Sequence, residues 1–210
     1  MGGKLITLEG IDGSGKSTQL RMLSGELRLL EYDVLTTMEP GGTPLGRRLR
    51  EAFLETEETV APRAELLLFA ADRSQHVEFL IKPALAEGKI VISDRYADAT
   101  FAYQGAGRGF PVQIINQIIK IATDGLKPDL TLFFDLPVEK AIARTKADCD
   151  QNRMNNRMDS EKTEFYHRVR NAYLQLAEKE KKRFRIINAD DSIEEIHKKV
   201  VEIVTNFLEK

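Results

Sequence analysis

The sequence holds one cysteine, Cys149, no tryptophan and three histidines among 210 residues. A lone cysteine excludes an intramolecular disulfide, and no Cys/His cluster has zinc-ligand spacing, so neither kind of cross-link is expected. Cys149 has no evident activating partner and reads as incidental. His76, His167 and His197 lie near no carboxylate or nucleophile at suggestive spacing, so they are expected on the surface or within helices. No apolar run approaches the roughly 20 residues of a membrane span, and Met1–Leu8 is too short, and too soon followed by Glu9 and Asp12, for a signal h-region. An excess of one charge is missing as well: 31 Lys and Arg against 33 Asp and Glu leave a formal net charge of −2. That balance supplies no whole-molecule field for nucleic acid or an acidic membrane, so any anion site must be local. A soluble protein of the reducing cytoplasm, with neither nucleic acid nor membrane as partner, is the expectation.

What is present is a chain with 42% hydrophobic residues, enough for one domain, 1–210, with a substantial core. Short apolar runs at Leu5–Leu8, Val34–Thr37, Ile90–Ser93, Leu130–Asp135 and Phe184–Asn188 read as buried strands. Helical patterns separate them. Leu20, Leu23, Leu27 and Leu30 form one stripe, and Ile193, Ile196, Val200, Ile203 and Phe207 another; both are assigned to the core. Strands alternating with helices predict an α/β fold with a five-stranded parallel sheet and helices on both faces. Ligands then belong beyond the carboxyl ends of the strands, where three strands run into polar motifs. Lys146 to Asp159, rich in Asn, Asp and Arg, is predicted to be a mobile lid between helices.

Gly10-Ile11-Asp12-Gly13-Ser14-Gly15-Lys16-Ser17 matches GxxxxGK[ST] directly after one strand and before the first amphipathic helix. Glycines let the chain wrap phosphates with its N–H groups, and the helix that follows aims its positive dipole end at the anion. Lys16 is expected at the β- and γ-phosphates, Ser17 at a Mg²⁺ ion and Thr18 at a phosphate beside the helix start. This identifies a P-loop NTPase fold without choosing among GTPases, ATP-driven machines and small-molecule kinases. Thr145-Lys146-Ala147-Asp148 resembles the guanine-reading [NT]KxD element, but it ends a helix rather than a strand, and no DxxG follows the third strand.

Asp94, closing the third strand, suits a carboxylate that orients metal-bound water, or else a plain strand-end turn. Arg73 and Arg95 could fork an acceptor phosphate, which suits arginine better than lysine; a surface salt bridge is the plain alternative for either. Phe69 is read either as a core residue of its helix or as a platform for a base.

At this point the chain resembles the bacterial thymidylate kinases, from Lys4 to Phe207. The resemblance is carried by Leu8-Glu9-Gly10 leading through Asp12 into the P-loop, Glu39-Pro40-Gly41-Gly42-Thr43, Phe69–Arg73, Lys82-Pro83-Ala84-Leu85, Asp94-Arg95-Tyr96, Tyr103-Gln104-Gly105 and Pro128-Asp129-Leu130-Thr131. It implies in-line transfer of the γ-phosphoryl group of ATP, with Mg²⁺, to dTMP, giving dTDP for dTTP synthesis. By the same resemblance Phe69 stacks on thymine, Arg73 contacts the acceptor, Arg95 holds its phosphate, and Asp12 faces the sugar 3′-hydroxyl. Tyr103 crowds the 2′ position, Thr100 and Gln104 lie near the base edge, and Glu39 anchors its turn near the acceptor phosphate, unless it is an acidic turn residue without ligand contact. The P-loop Asp12-Gly13-Ser14 lacks the arginine some members carry there, so the resemblance puts the catalytic arginine in the lid, at Arg157 or Arg153. It also implies a homodimer. A kinase for uridylate, cytidylate or a deoxynucleoside would differ at the acceptor pocket, and a nucleotide-binding regulator without chemistry would have no need of Arg73, Asp94, Arg95 and a basic lid together.

Overall fold

The computed structural model describes residues 2–150 and 157–209. Five strands form one sheet: β1 (Lys4–Glu9), β2 (Val34–Met38), β3 (Ile90–Asp94), β4 (Leu130–Asp135) and β5 (Phe184–Asn188), in the order β2-β3-β1-β4-β5 and all parallel. Every predicted strand is present. Successive side chains alternate between faces. Ile6, Leu8, Ile90 and Ile92 join the larger core with Phe133, Tyr173 and Val200, whereas Leu5 and Val91 join a smaller one with Val77, Ile81 and Tyr96. Both faces are therefore apolar, as a helix-covered parallel sheet requires.

The helices are α1 (Lys16–Leu29), α2 (Pro44–Leu54), α3 (Pro62–His76), α4 (Lys82–Ala86), α5 (Ala97–Thr100), α6 (Val112–Thr123), α7 (Val138–Asp150), α8 (Thr163–Lys179) and α9 (Ile193–Leu208). A π-helical turn, Val77–Ile81, links α3 to α4; a second, Phe101–Gly107, follows α5. Such bulges often mark functional sites. No described helix is long and apolar enough to cross a membrane.

Three expectations change. Leu23 and Leu27 are fully buried, but Leu30, just past α1, is 49% exposed, and Ile193, in the first turn of α9, is 52% exposed. A periodic stripe runs on past the point where the partner surface ends. On α9 the core face is Ile196, Val200, Val204 and Leu208. The segment assigned to the lid is helical at its start, since α7 continues through Asp150, and Arg157–Ser160 is a 3₁₀ turn. Ala143 to Ala147 are good helix formers apart from Thr145, whose hydroxyl bonds back to the Ala141 carbonyl at 3.0 Å. The guanine-like tetrad Thr145–Asp148 thus lies inside a helix.

Candidate active site

β1 is the central strand, and its carboxyl end opens into a cleft of about 930 Å³ lined from Asp12 to Leu20 on one side and by Phe69, Arg73, Arg95, Thr100, Tyr103 and Gln104 on the other. This is the location an open parallel sheet favours for ligands. The phosphate cradle is built by backbone. Gly15 caps α1 with φ 86° and no side-chain hydrogen bond, and the first turn of α1 holds no acidic residue. The N-terminal N–H groups of α1 thus keep their positive end for an outside anion. Gly13 has φ 80°, and a Cβ there would lie 2.5 Å from the Ala141 carbonyl oxygen. Gly10 and Ile11, the first residues of the loop, are buried. They do not line the cleft.

Lys16 is buried and donates from Nζ to the Ile11 carbonyl at 3.0 Å. Burial lowers its pKa, with the Arg95 charge adding to the effect and Asp94, Asp12 and Glu9 opposing it. Ser17 Oγ donates to Asp94 Oδ2 at 2.8 Å. Asp94 Oδ1 is buried and meets no hydrogen-bond partner among the described residues. An orphaned carboxylate oxygen beside a hydroxyl is a hard oxygen donor set, and it fits Mg²⁺ completed by nucleotide phosphates and water. No group of three His, Cys, Asp or Glu forms an all-protein metal cage among the described residues.

Arg95 follows Asp94 in the left-handed region, with φ 71°. This costs an L-residue on the order of 1–2 kcal/mol. Its N–H donates to the Leu8 carbonyl at 3.0 Å, and Ser93 Oγ donates to its carbonyl at 2.7 Å. The outcome is a guanidinium turned toward the P-loop. Nη2 donates to Asp12 Oδ1 at 2.9 Å and Tyr103 Oη at 3.1 Å, while Nη1 is buried with no partner among the described residues. An unpaired buried guanidinium nitrogen on a residue that lines the cleft points to an anion. Burial raises the Tyr103 hydroxyl well out of the neutral range, so it remains protonated beside Arg95.

Glu9 sits under this group, fully buried. It accepts from the Tyr96 N–H at 2.8 Å and the Tyr173 hydroxyl at 2.7 Å. Burial, with the Asp98 carboxylate adding to it, pushes Glu9 up to about 8.

Arg73, 1% exposed, is spent on three partners: Nε on Glu39 Oε2 at 2.7 Å, Nη1 on Thr100 Oγ1 at 2.6 Å and Nη2 on the Tyr96 carbonyl at 2.9 Å. It is not a surface salt bridge. Glu39 is likewise buried, and its N–H donates to the Asp94 carbonyl at 2.9 Å, which ties the Glu-Pro-Gly-Gly turn to β3. Burial alone would raise the Glu39 carboxyl, but Arg73 and His76 outweigh it and hold it below the usual range. The expected isolation of the histidines is corrected here. His76 is fully buried, with Nδ1 2.8 Å from Glu39 Oε1 and Nε2 2.7 Å from Thr37 Oγ1. His167 pairs with Glu139 at 3.1 Å. Partners distant in sequence are invisible to a search for local spacing.

Phe69 is half-buried, edge-on to Phe53 with centroids 4.8 Å apart, and lines the cleft. Core packing and a place on the cleft wall coexist there. Gln104 Nε2 donates to Glu65 Oε1 at 2.9 Å. Glu65 also takes Arg108 and Arg157. Sequence reasoning missed Glu65, Asp72, Arg108 and Arg50, which lines the cleft and reaches the Pro40 carbonyl at 3.2 Å. One signal was available for Asp72, because it precedes Arg73 one helical turn from Phe69. The Arg157 guanidinium bonds Glu65 and, at 3.2 Å, the Phe53 carbonyl, and Arg157 is not among the residues lining the cleft. Arg153 lies outside the described residues, as do the side chains of Cys149 and Asp159.

Comparison with known proteins matches residues 8–200 to the family model described as "Thymidylate kinase". The chain is 46% identical over 210 residues to "Thymidylate kinase" of Halothermothrix orenii, covering 100% of both chains. It is 44% identical over 211 residues to that of Pseudomonas putida, covering 100% of this chain and 99% of the relative. The crystal structure of thymidylate kinase from Ehrlichia chaffeensis superposes with a TM-score of 0.79 at 34% identity, over 98% of this chain and 99% of that one.

Proposed function

Because the chain belongs to the thymidylate kinase family, we propose that its cleft carries out the family's reaction through the residues described above, acting as one domain. The reaction is transfer of the γ-phosphoryl group of ATP to dTMP, giving ADP and dTDP. The observation that carries the residue assignment is the pair of orphan atoms at the end of β3, Asp94 Oδ1 on the carboxylate that meets Ser17 and Arg95 Nη1 on the guanidinium that meets Asp12.

The P-loop N–H groups and Lys16 bind the donor phosphates, and Thr18 takes part at the start of α1. Arg95 Nη1 takes the acceptor phosphate, held in place by Asp12 and Tyr103. Phe69 offers its ring to the thymine, Gln104 and Thr100 lie at the base edge, and Tyr103 crowds the sugar. Arg73 belongs to the acceptor wall through Glu39. Ser17 and Asp94 hold Mg²⁺, which when bound neutralises phosphate charge as the phosphoryl group moves. Catalysis is positioning and charge stabilisation, with no covalent intermediate.

The transition-state cation is assigned to the lid, to Arg157 or Arg153. For Arg157 this requires leaving Glu65. We place the protein in the cytoplasm, in keeping with its single cysteine. A homodimer through α3 and α6 is supported by exposed Leu67 and Phe79 on α3 and its π-turn and by exposed Ile114 and Ile121 on α6. Incubation with γ-labelled ATP and dTMP tests the assignment: label appears in dTDP, and Arg95→Ala raises the KM for dTMP far more than that for ATP. An unchanged dTMP KM would remove Arg95 from the acceptor site.

A further inference from the structure

An amide side chain at a base edge is ambiguous, since Gln104 can present either a donor or an acceptor. Glu65 settles which. This residue of α3 is wholly buried; its Oε1 accepts from Gln104 Nε2 at 2.9 Å and Arg108 Nε at 3.1 Å. Its Oε2 accepts from Arg108 Nη2 at 3.0 Å and from Arg157 Nη2. Four donors fill the roughly four lone-pair sites of a carboxylate. Burial alone would raise the Glu65 carboxyl, but the hydrogen bonds from Arg108, Arg157 and Gln104 hold it below the usual carboxylate range, so it has no proton to give. Arg108 is anchored on its far side by Glu161 at 2.6 Å and lies over the Phe165 ring at 4.8 Å, so the carboxylate cannot readily turn away. Gln104 can meet such a group only with its NH₂. Its carbonyl oxygen has no partner among the described residues and is left for the cleft that Gln104 lines.

We infer that Glu65 is a specificity-determining positioning residue: by committing the Gln104 nitrogen, it makes the base contact an acceptor and selects a pyrimidine with N–H at ring position 3. Thymine and uracil carry that hydrogen. Cytosine presents a lone pair there and meets the Gln104 oxygen as like against like. The inference rests on the reading of Gln104 as a base contact. It survives any departure of Arg157, because both donors to Oε1 remain.

The test is the ratio of kcat/KM for dTMP to that for dCMP in the wild type, Glu65→Gln and Gln104→Ala, with dUMP as an internal control. In Glu65→Gln the partner can donate as well as accept, the Gln104 amide can invert, and the ratio falls by about ten-fold or more, the worth of one misdirected buried hydrogen bond. The dTMP to dUMP ratio, which reports only the 5-methyl group, stays constant. A merely structural role would lower dTMP and dCMP together; equal losses, or an unchanged ratio, overturn the inference. If Gln104→Ala itself leaves the dTMP to dCMP ratio unchanged, the base-contact reading falls and the inference with it; a collapse in Gln104→Ala but not in Glu65→Gln overturns the inference alone. One measurement needs no Glu65 variant. In the wild type the Gln104 side-chain NH₂, assigned by its loss in Gln104→Ala, is protected from solvent exchange with and without dTMP; rapid exchange in both states refutes the proposal.

Discussion

Replacing Arg73 by Met keeps most of the stem volume and removes the guanidinium. Hydrogen bonds to Glu39 Oε2, Thr100 Oγ1 and the Tyr96 carbonyl, at 2.7, 2.6 and 2.9 Å, are lost from a side chain 1% exposed. The largest loss is electrostatic. Glu39 is left as a buried carboxylate whose remaining side-chain hydrogen bond is to His76, with Asp72 nearby, and removing one partner of a buried pair costs about 3–5 kcal/mol. With an unfolding entropy of about 2.1 cal/mol/K per residue over the whole chain, a loss of about 4 kcal/mol lowers Tm by about 9 °C. Urea unfolding and thermal scans of Arg73→Met, Glu39→Gln and the double variant give the coupling directly. The double variant removes the stranded charge and should be more stable than Arg73→Met, by at least about 1 kcal/mol. Additive losses, or a cost for Arg73→Met below about 1 kcal/mol, would refute the claim that this pair holds the acceptor wall.

Asp94→Asn should lower kcat by on the order of a hundred-fold and raise the Mg²⁺ concentration needed for half-maximal rate; an unchanged Mg²⁺ dependence would exclude Asp94 as a metal ligand. Asp72 is pushed up to about 6 by burial and by the nearby Glu39 charge. A carboxyl raised when folded favours the fold most at low pH and loses that stability as pH climbs from about 4 to about 6, by up to about 3 kcal/mol. Asp72→Asn escapes the loss, so the two stability profiles should diverge over that window; parallel profiles would contradict the assignment. Arg157→Ala, if the side chain leaves Glu65 to meet the moving phosphoryl group, should lower kcat on the order of 10³-fold with little change in the KM for ATP. A loss confined to stability and to the KM for dTMP would leave Arg157 on the acceptor wall.

The three inner strands β1, β3 and β4 were legible because each is a nearly unbroken apolar run flanked by turn residues, and a buried parallel strand needs little else; the edge strands β2 and β5, expected to be buried, carry Thr36, Thr37 and Arg185 and are only partly covered. The P-loop was legible because its chemistry depends on spacing within eight residues. The acceptor wall was legible only as isolated arginines and an aromatic. Arg73 and Glu39 are 34 positions apart, Gln104 and Glu65 39, and Arg157 and Glu65 92. No local pattern announces such pairs. Histidine was misjudged for that reason: His76 finds its partners Thr37 near the end of β2 and Glu39 on the turn that follows. The helical start of the segment assigned to the lid was misread because Asn and Asp dominate its composition, whereas the residues up to Ala147 favour a helix.

The measurement that bears most directly on the central claim is ADP release from ATP and Mg²⁺ with each nucleoside monophosphate offered separately, beside a control without acceptor. The account predicts strong stimulation by dTMP, little by UMP, CMP or AMP, and a low rate in the control. Equal rates with and without dTMP, or a clear preference for another acceptor, would contradict it.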